Sequence, residues 1–258
     1  MTAALLFDLD DTLVVEEPAA DAAFLATAEI AADRYELDAA ALARGARMRA
    51  RELWRAGPAY AYGEATIGMS SWEALWCRWH GDGDEVCMAR DWAAGYRGKA
   101  WRLALADQGV IDPALAEELG ERFGAERRRR NEAFADVRPA LDDLRRTHAL
   151  ALVTNGASCL QREKLAGSGL GEDDFDAVVI SGDIGVAKPE PAIFAHALSQ
   201  LGVDADQAVM IGDSLERDVD GAAAVGIRGI WLNRAGEARP SMNGHLQISS
   251  LSDLRTVL

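Results

Sequence analysis

The chain has 258 residues, 49% of them hydrophobic and 27% charged, with a formal net charge of −15. That length suits one large domain, or a core domain carrying a smaller inserted one, and that composition excludes intrinsic disorder. The negative balance excludes long-range electrostatic capture by nucleic acid or an anionic membrane, but not a small phosphorylated molecule held beside a local cation.

In chain order, the first element is the apolar run Ala4 to Leu9, which ends in acidic residues and reads as a buried parallel strand delivering Asp8 and Asp10 at its carboxyl end. The opening MTAALLFDLDDTL has no basic stretch, its apolar run stops at Asp8, and no segment reaches membrane-spanning length. A cytoplasmic enzyme without a signal peptide is therefore expected. The three cysteines, Cys77, Cys87 and Cys159, give neither a disulfide framework nor a zinc spacing, although Cys77 and Cys87 flank His80.

From residue 17 to 134 the chain is rich in Ala, Arg and Glu with apolar residues at helical spacing, which predicts an all-helical insertion. Six of the seven tryptophans lie there. Trp72, Trp76 and Trp79 follow an i, i+4, i+7 spacing, so core packing along one helix face is expected of them. Arg127 to Arg130 is expected to be a solvated helix end, and Glu16 and Glu17 to be helix-start acids at a hinge.

Beyond the insertion, four further apolar runs each end in small or polar residues. Ala149 to Val153 leads into Thr154-Asn155-Gly156, Ala177 to Ile180 into Ser181-Gly182-Asp183, Ala208 to Ile211 into Gly212-Asp213-Ser214, and Gly229 to Leu232 into Asn233. Helical patterns separate most of them, so the fold class is α/β, a Rossmann-like parallel sheet flanked by helices. The expected domains are a core of residues 1–16 and 135–258 and a helical cap of residues 17–134. Ligands of open α/β sheets bind at the carboxyl ends of strands, where all these polar residues gather.

In a strand, residues two apart share a face, so Asp8 and Asp10 are expected to repel one another unless a cation neutralises them. A hard divalent ion with oxygen ligands, Mg²⁺ in the presence of phosphate, fits that demand. The order of motifs then resembles the haloacid dehalogenase superfamily over the whole α/β part. The residues that carry it are Asp8-Leu9-Asp10-Asp11-Thr12-Leu13 after one strand, Thr154-Asn155-Gly156 after another, Lys188-Pro189 within Gly185-Val186-Ala187-Lys188-Pro189-Glu190-Pro191, and Gly212-Asp213-Ser214-Leu215-Glu216-Arg217-Asp218 after a third.

The resemblance implies a phosphatase acting on a small phosphorylated metabolite of the sugar phosphate or nucleotide monophosphate class. Asp8 would be the nucleophile that forms an aspartyl-phosphate, and Asp10 the general acid and base. Lys188 would neutralise charge, while Thr154, Asn155 and Gly156 would donate hydrogen bonds to phosphate. Asp8, the backbone carbonyl of Asp10, and Asp213 would hold Mg²⁺. Asp218 would orient Lys188 or a metal-bound water, Thr12 would bond locally in its turn, and Ser214 would ligate metal or cap a helix. Members that release halide need no leaving-group acid, so Asp10 favours phosphate chemistry. The resemblance further implies a cap that closes over the cleft. A phosphosugar mutase, a phosphonate hydrolase and a non-catalytic binding protein are the alternatives. Lys99, the only lysine between Glu17 and Phe134, is placed unfavourably for an imine-forming phosphonate hydrolase. The partner is a small molecule, with no nucleic acid or membrane, and the sequence leaves monomer and homodimer open.

Overall fold

The computed structural model describes residues 2–236 and 245–258. Its chain divides into two compact units, one of residues 1–15 and 132–258 and the other of residues 16–131.

The first unit is built on a six-stranded sheet, β1 (Ala4–Phe7), β2 (Ala149–Thr154), β3 (Ala177–Ile180), β4 (Ala208–Gly212), β5 (Arg228–Leu232) and β6 (Leu246–Ile248), in the order β3-β2-β1-β4-β5-β6 with every pair parallel. The chain moves outward from β1 through β2 to β3, then returns to the other side of β1 as β4, so the topological switch lies between β1 and β4. Side chains alternate across the sheet. Leu5, Phe7, Leu150, Leu152, Val209 and Ile211 enter one buried cluster, while Ala4, Leu6, Ala151, Val153, Ala208 and Met210 enter the other. Burial on both faces explains why the strands read as continuous apolar runs rather than alternating ones.

In the second unit α1 (Glu17–Tyr35) packs on α2 (Ala39–Ala56) and on α5 (Pro113–Arg128), α2 also packs on the short α3 (Ser71–Ala74), and α4 (Asp84–Asp107) packs on α2 and α5. Asp38 caps α2 through the Ala41 N–H and Asp112 caps α5 through the Leu115 N–H. Phe24, Trp101 and Phe123 form an aromatic centre, with the two phenyl rings 4.3 Å apart. The helices of the first unit include α6 (Val137–Leu144), α7 (Ser158–Gly167), α8 (Ser181–Ile184) and α9 (Pro191–Leu201), with short helical turns at Leu215–Asp220, Gly221–Ala223 and Leu254–Val257. Val137 and Leu141 of α6 join one core cluster; Ile193 and Phe194 of α9 join the other.

Several local expectations are corrected. The first strand stops at Phe7 rather than Leu9. Leu13 and Val14 both donate backbone hydrogen bonds to the Leu9 carbonyl, and Asp11 adopts φ 55°, so the segment carrying Asp10 is a tight turn. The sixth strand escapes the apolar pattern because it is three residues long and carries an exposed Gln247. Trp72, Trp76 and Trp79 do not share one helix face, since α3 ends at Ala74 and Trp79 has φ 52°. Trp76 and Trp79 are nevertheless buried.

Arg127 is not solvated but fully buried. Its Nη2 donates to Glu16 Oε2 at 2.7 Å, its guanidinium lies 5.0 Å from the Trp76 ring centre, and Trp72 Nε1 donates to Glu16 Oε1 at 3.0 Å. Burying a charge demands a partner, which is why Glu16, at the N-cap of α1 as expected, turns its carboxylate to Arg127 rather than to the helix, while Glu17 is the acid of the first turn. Cys77, Cys87 and Cys159 form no disulfide, and among the described residues no helix is long and apolar enough to cross a membrane.

Candidate active site

The site is assembled at the carboxyl ends of β1, β2 and β4. The Asp8 N–H donates to the Ile211 carbonyl of β4, which extends the strand pairing by one residue and fixes the Asp8 backbone between its neighbours. Lys188 arrives from far along the chain. Its Nζ lies 2.5 Å from Asp8 Oδ1 and 2.7 Å from Asp218 Oδ1, with all three side chains buried. Asn155 holds Lys188 in place by its backbone: Asn155 Oδ1 accepts from the Lys188 N–H at 2.8 Å, and Asn155 Nδ2 donates to the Lys188 carbonyl at 3.0 Å. A flexible lysine is thereby fixed at its root before its ammonium is used.

Asp218 is held at both oxygens, since Oδ2 accepts from the Ser214 N–H at 2.9 Å. Ser214 acts as the helix cap, its Oγ accepting from the Arg217 N–H at 3.2 Å. Gly212 makes room for this arrangement. A Cβ there would stand 2.3 Å from Asp218 Cγ, inside any tolerated contact. Gly212→Ala is expected to push the carboxylate away from Lys188, lowering turnover by tenfold or more and stability by about 1–3 kcal/mol; steady-state kinetics beside a thermal melt checks both.

Asp8, Asp213 and Asp218 each offer a carboxylate oxygen, and these lie within 4.8 Å of one another. Burial, with Asp218 and Asp10 nearby, pushes the Asp8 carboxyl up to about 7 against the pull of Lys188. Burial and the charges of Asp8, Asp218 and Asp11 push Asp213 up to about 9. Lys188 moves up as well, because two carboxylates outweigh the cost of burying its ammonium. Three carboxylates set against one ammonium form a site short of positive charge. That donor set, all oxygen and partly buried, suits a hard divalent cation such as Mg²⁺.

The Thr12 backbone bonds within its own turn, its N–H donating to the Leu9 carbonyl at 3.4 Å, but its side chain reaches out of it. Its Oγ accepts from the Asp213 N–H at 3.0 Å, across 201 residues of sequence, and ties the first motif to the fourth. Two groups absent from the motifs support this tie. Trp231 Nε1 donates to the Asp213 carbonyl at 2.8 Å, and Arg234 donates to the Thr12 carbonyl at 2.9 Å while pairing with both oxygens of Asp136. Asp10 stands on the other side, with Lys164 Nζ 2.8 Å from Oδ1 and Gln161 Nε2 2.9 Å from Oδ2. Gln161 Nε2 also donates to Thr154 Oγ at 2.7 Å. The Gly156 N–H is given to Ser181 Oγ at 2.8 Å. Both α7 residues lie outside every motif; the one signal for them is their i, i+3 spacing on the helix that follows Gly156.

The haloacid dehalogenase-like hydrolase family model matches residues 2–226. Phosphoserine phosphatase of Thermus thermophilus is 41% identical over 235 residues, which cover 89% of this chain and 88% of that protein. Among solved structures, a HAD phosphatase from Thermococcus onnurineus is 28% identical with a TM-score of 0.60, covering 100% of this chain and 97% of that one. A 2-haloacid dehalogenase from Pseudomonas syringae pv. Tomato is also 28% identical, with a TM-score of 0.59 and coverage of 100% and 98%. The chain belongs to the haloacid dehalogenase-like hydrolases. Within that family it is a phosphatase.

Proposed function

We propose that the protein is a Mg²⁺-dependent phosphatase that hydrolyses a small phosphorylated metabolite through an aspartyl-phosphate on Asp8. The observation that carries this reading is the convergence of Asp8, Lys188, Asp213 and Asp218 in one buried cluster, with Asp10 and Thr154 bridged beside it by Gln161. An Asp8 oxygen attacks phosphorus, the bond to the ester oxygen breaks, and Asp10 gives a proton to the departing alkoxide. Water then attacks the aspartyl-phosphate, Asp10 takes its proton, and Asp8 is regenerated. Lys188 holds the Asp8 carboxylate in position and offsets the charge of the equatorial oxygens. Thr154, whose Oγ accepts from Gln161 and donates to the Asn155 carbonyl only at 3.5 Å, can turn its hydroxyl hydrogen to phosphate.

Asp8, Asp213 and the Asp10 carbonyl would hold Mg²⁺. When bound, the ion supplies charge neutralisation for the transferring phosphoryl group. Dehalogenation, the activity named for one of the similar structures, expels halide without a proton, so a positioned carboxyl at Asp10 favours the phosphate reaction. The relative from Thermus thermophilus makes O-phosphoserine the first substrate to try, with sugar phosphates and nucleotide monophosphates beside it.

The test is phosphate release from p-nitrophenyl phosphate and from that panel, with Mg²⁺ and with EDTA. Release that requires Mg²⁺ is expected; equal release in EDTA would remove the metal from the reading, and no release from any phosphate would remove the hydrolysis. A second expectation concerns pH. Asp8 and Asp213 titrate higher in the folded, metal-free chain than in the unfolded one, so the folded state binds more protons and metal-free stability falls as pH rises from about 4 to about 9. Mg²⁺ replaces those protons. The Mg²⁺-induced rise in Tm is therefore expected to be larger near pH 8.5 than near pH 6, as a calorimetric titration with and without EDTA would show.

A further inference from the structure

Gln161 and Lys164 are buried side by side on α7, each about 1% exposed. A lysine is rarely buried without a specific partner, and a glutamine rarely commits its amide nitrogen to two side chains without consequence. Here both polar heads converge on Asp10, one on each carboxylate oxygen. We infer that Gln161 and Lys164 are positioning residues that hold Asp10 and Thr154 in register for proton transfer to the leaving group and for binding of phosphate. This rests on the roles proposed above for Asp10 and Thr154.

The amide orientation follows from charge. Turned the other way, Gln161 Oε1 would face the Asp10 carboxylate and repel it, so Nε2 must be the bridging atom, with one hydrogen to Asp10 Oδ2 and the other to Thr154 Oγ. That choice makes Thr154 an acceptor of this bond and orients its own hydroxyl hydrogen away from Gln161. One side chain thus sets the direction of a phosphate donor and the rotamer of the acid. Gly156, at φ 137°, admits the amide: a Cβ there would stand 2.9 Å from Gln161 Cδ. Its requirement is therefore room for Gln161, while its own N–H serves Ser181. Lys164 closes the arrangement by pairing Asp10 Oδ1, which fixes the carboxyl against rotation about its terminal torsion and leaves one lone pair on each oxygen for the proton in flight.

Leaving groups separate positioning from packing. An alkyl phosphate needs a proton delivered to its oxygen; p-nitrophenolate departs without one. For Lys164→Met and Gln161→Met, kcat/KM for O-phosphoserine, or for glucose 6-phosphate if that is turned over faster, is expected to fall about tenfold to a hundredfold. The value for p-nitrophenyl phosphate should stay within about threefold in Lys164→Met, since general acid help contributes little to it, and should fall in Gln161→Met by less than the value for the alkyl ester, because that variant also releases Thr154. Gln161→Glu keeps the shape and removes both N–H groups, and serves where a methionine variant loses its thermal transition. Asp10→Asn is run alongside and should show the same selectivity at larger amplitude. Equal loss on both substrates, or none on either, in the α7 variants while Asp10→Asn remains selective would overturn the inference. An unselective Asp10→Asn would instead overturn the role given to Asp10.

Discussion

Asp8→Asn is expected to lower turnover by at least about 10³-fold while leaving the protein folded and, without metal, no less stable. The amide has nearly the shape of the carboxylate but cannot form a hydrolysable acyl phosphate, so the two-step route closes at its first step. Stability moves the other way. Asp8 sits buried beside Asp213 and Asp218, and burial, with the charges of Asp218 and Asp10, raises its carboxyl to about 7 against the pull of Lys188. Removing that charge relieves repulsion, and Lys188 keeps Asp218 as its partner at 2.7 Å. A phosphoenzyme trapped by acid quench from wild type and missing from the variant, together with an unchanged or raised metal-free Tm, is the expected pair of results. A variant that still accumulates phosphoenzyme would move the nucleophile elsewhere.

Lys188→Met should cost both activity and stability, the two through different steps. The ammonium bridges Asp8 and Asp218 at 2.5 and 2.7 Å with about 2% of its side chain exposed. Methionine fills the same space without charge, leaving two buried carboxylates unpaired. Breaking a buried pair from one side costs about 3–5 kcal/mol. Turnover is expected to fall by about 10²- to 10³-fold, since a preorganised cation is lost from the site of developing charge. Mg²⁺ should recover part of the stability and little of the turnover, because it offsets the net charge but cannot take the place of an ammonium aimed at Asp8. Denaturant melts and kinetics on the same preparation separate the losses; a variant as stable as wild type would make the ion pair marginal to the fold.

The α/β class is legible because doubly buried strands are continuous apolar runs and each ends in a recognisable polar group. Asp8, Asp10, Thr154, Lys188, Asp213 and Asp218 stand out for the same reason: they follow strands or open helices in a fixed order. What the sequence conceals is carried by residues whose types are common and whose partners are remote. Gln161 and Lys164 look like ordinary helix surface until the turn at Asp11 aims Asp10 at them. Arg234 and Trp231 reach the site through backbone carbonyls, which have no signature in side-chain spelling. Arg127 reads as solvent-exposed because it belongs to a run of four arginines, and only its pairing with Glu16, 111 residues earlier, reverses that. The strand that seems to reach Leu9 is cut short because the Leu9 carbonyl is taken by the turn behind it.

The central strand of the sheet is also the first to leave the ribosome. Ala4 pairs with Ala149 on one side and Ala208 on the other, so β1 emerges long before either neighbour exists. The helical unit between them is a compact body of its own and can assemble while β1 waits. Its two ends meet where Val14 bridges Ala133 and the Val15 N–H donates to Glu132, a closure within the first unit that returns the chain beside its point of departure. Early folding of the insert therefore shortens the effective loop separating β1 from β2, turning a long-range pairing into a nearer one and limiting the time during which an apolar strand edge is open to aggregation.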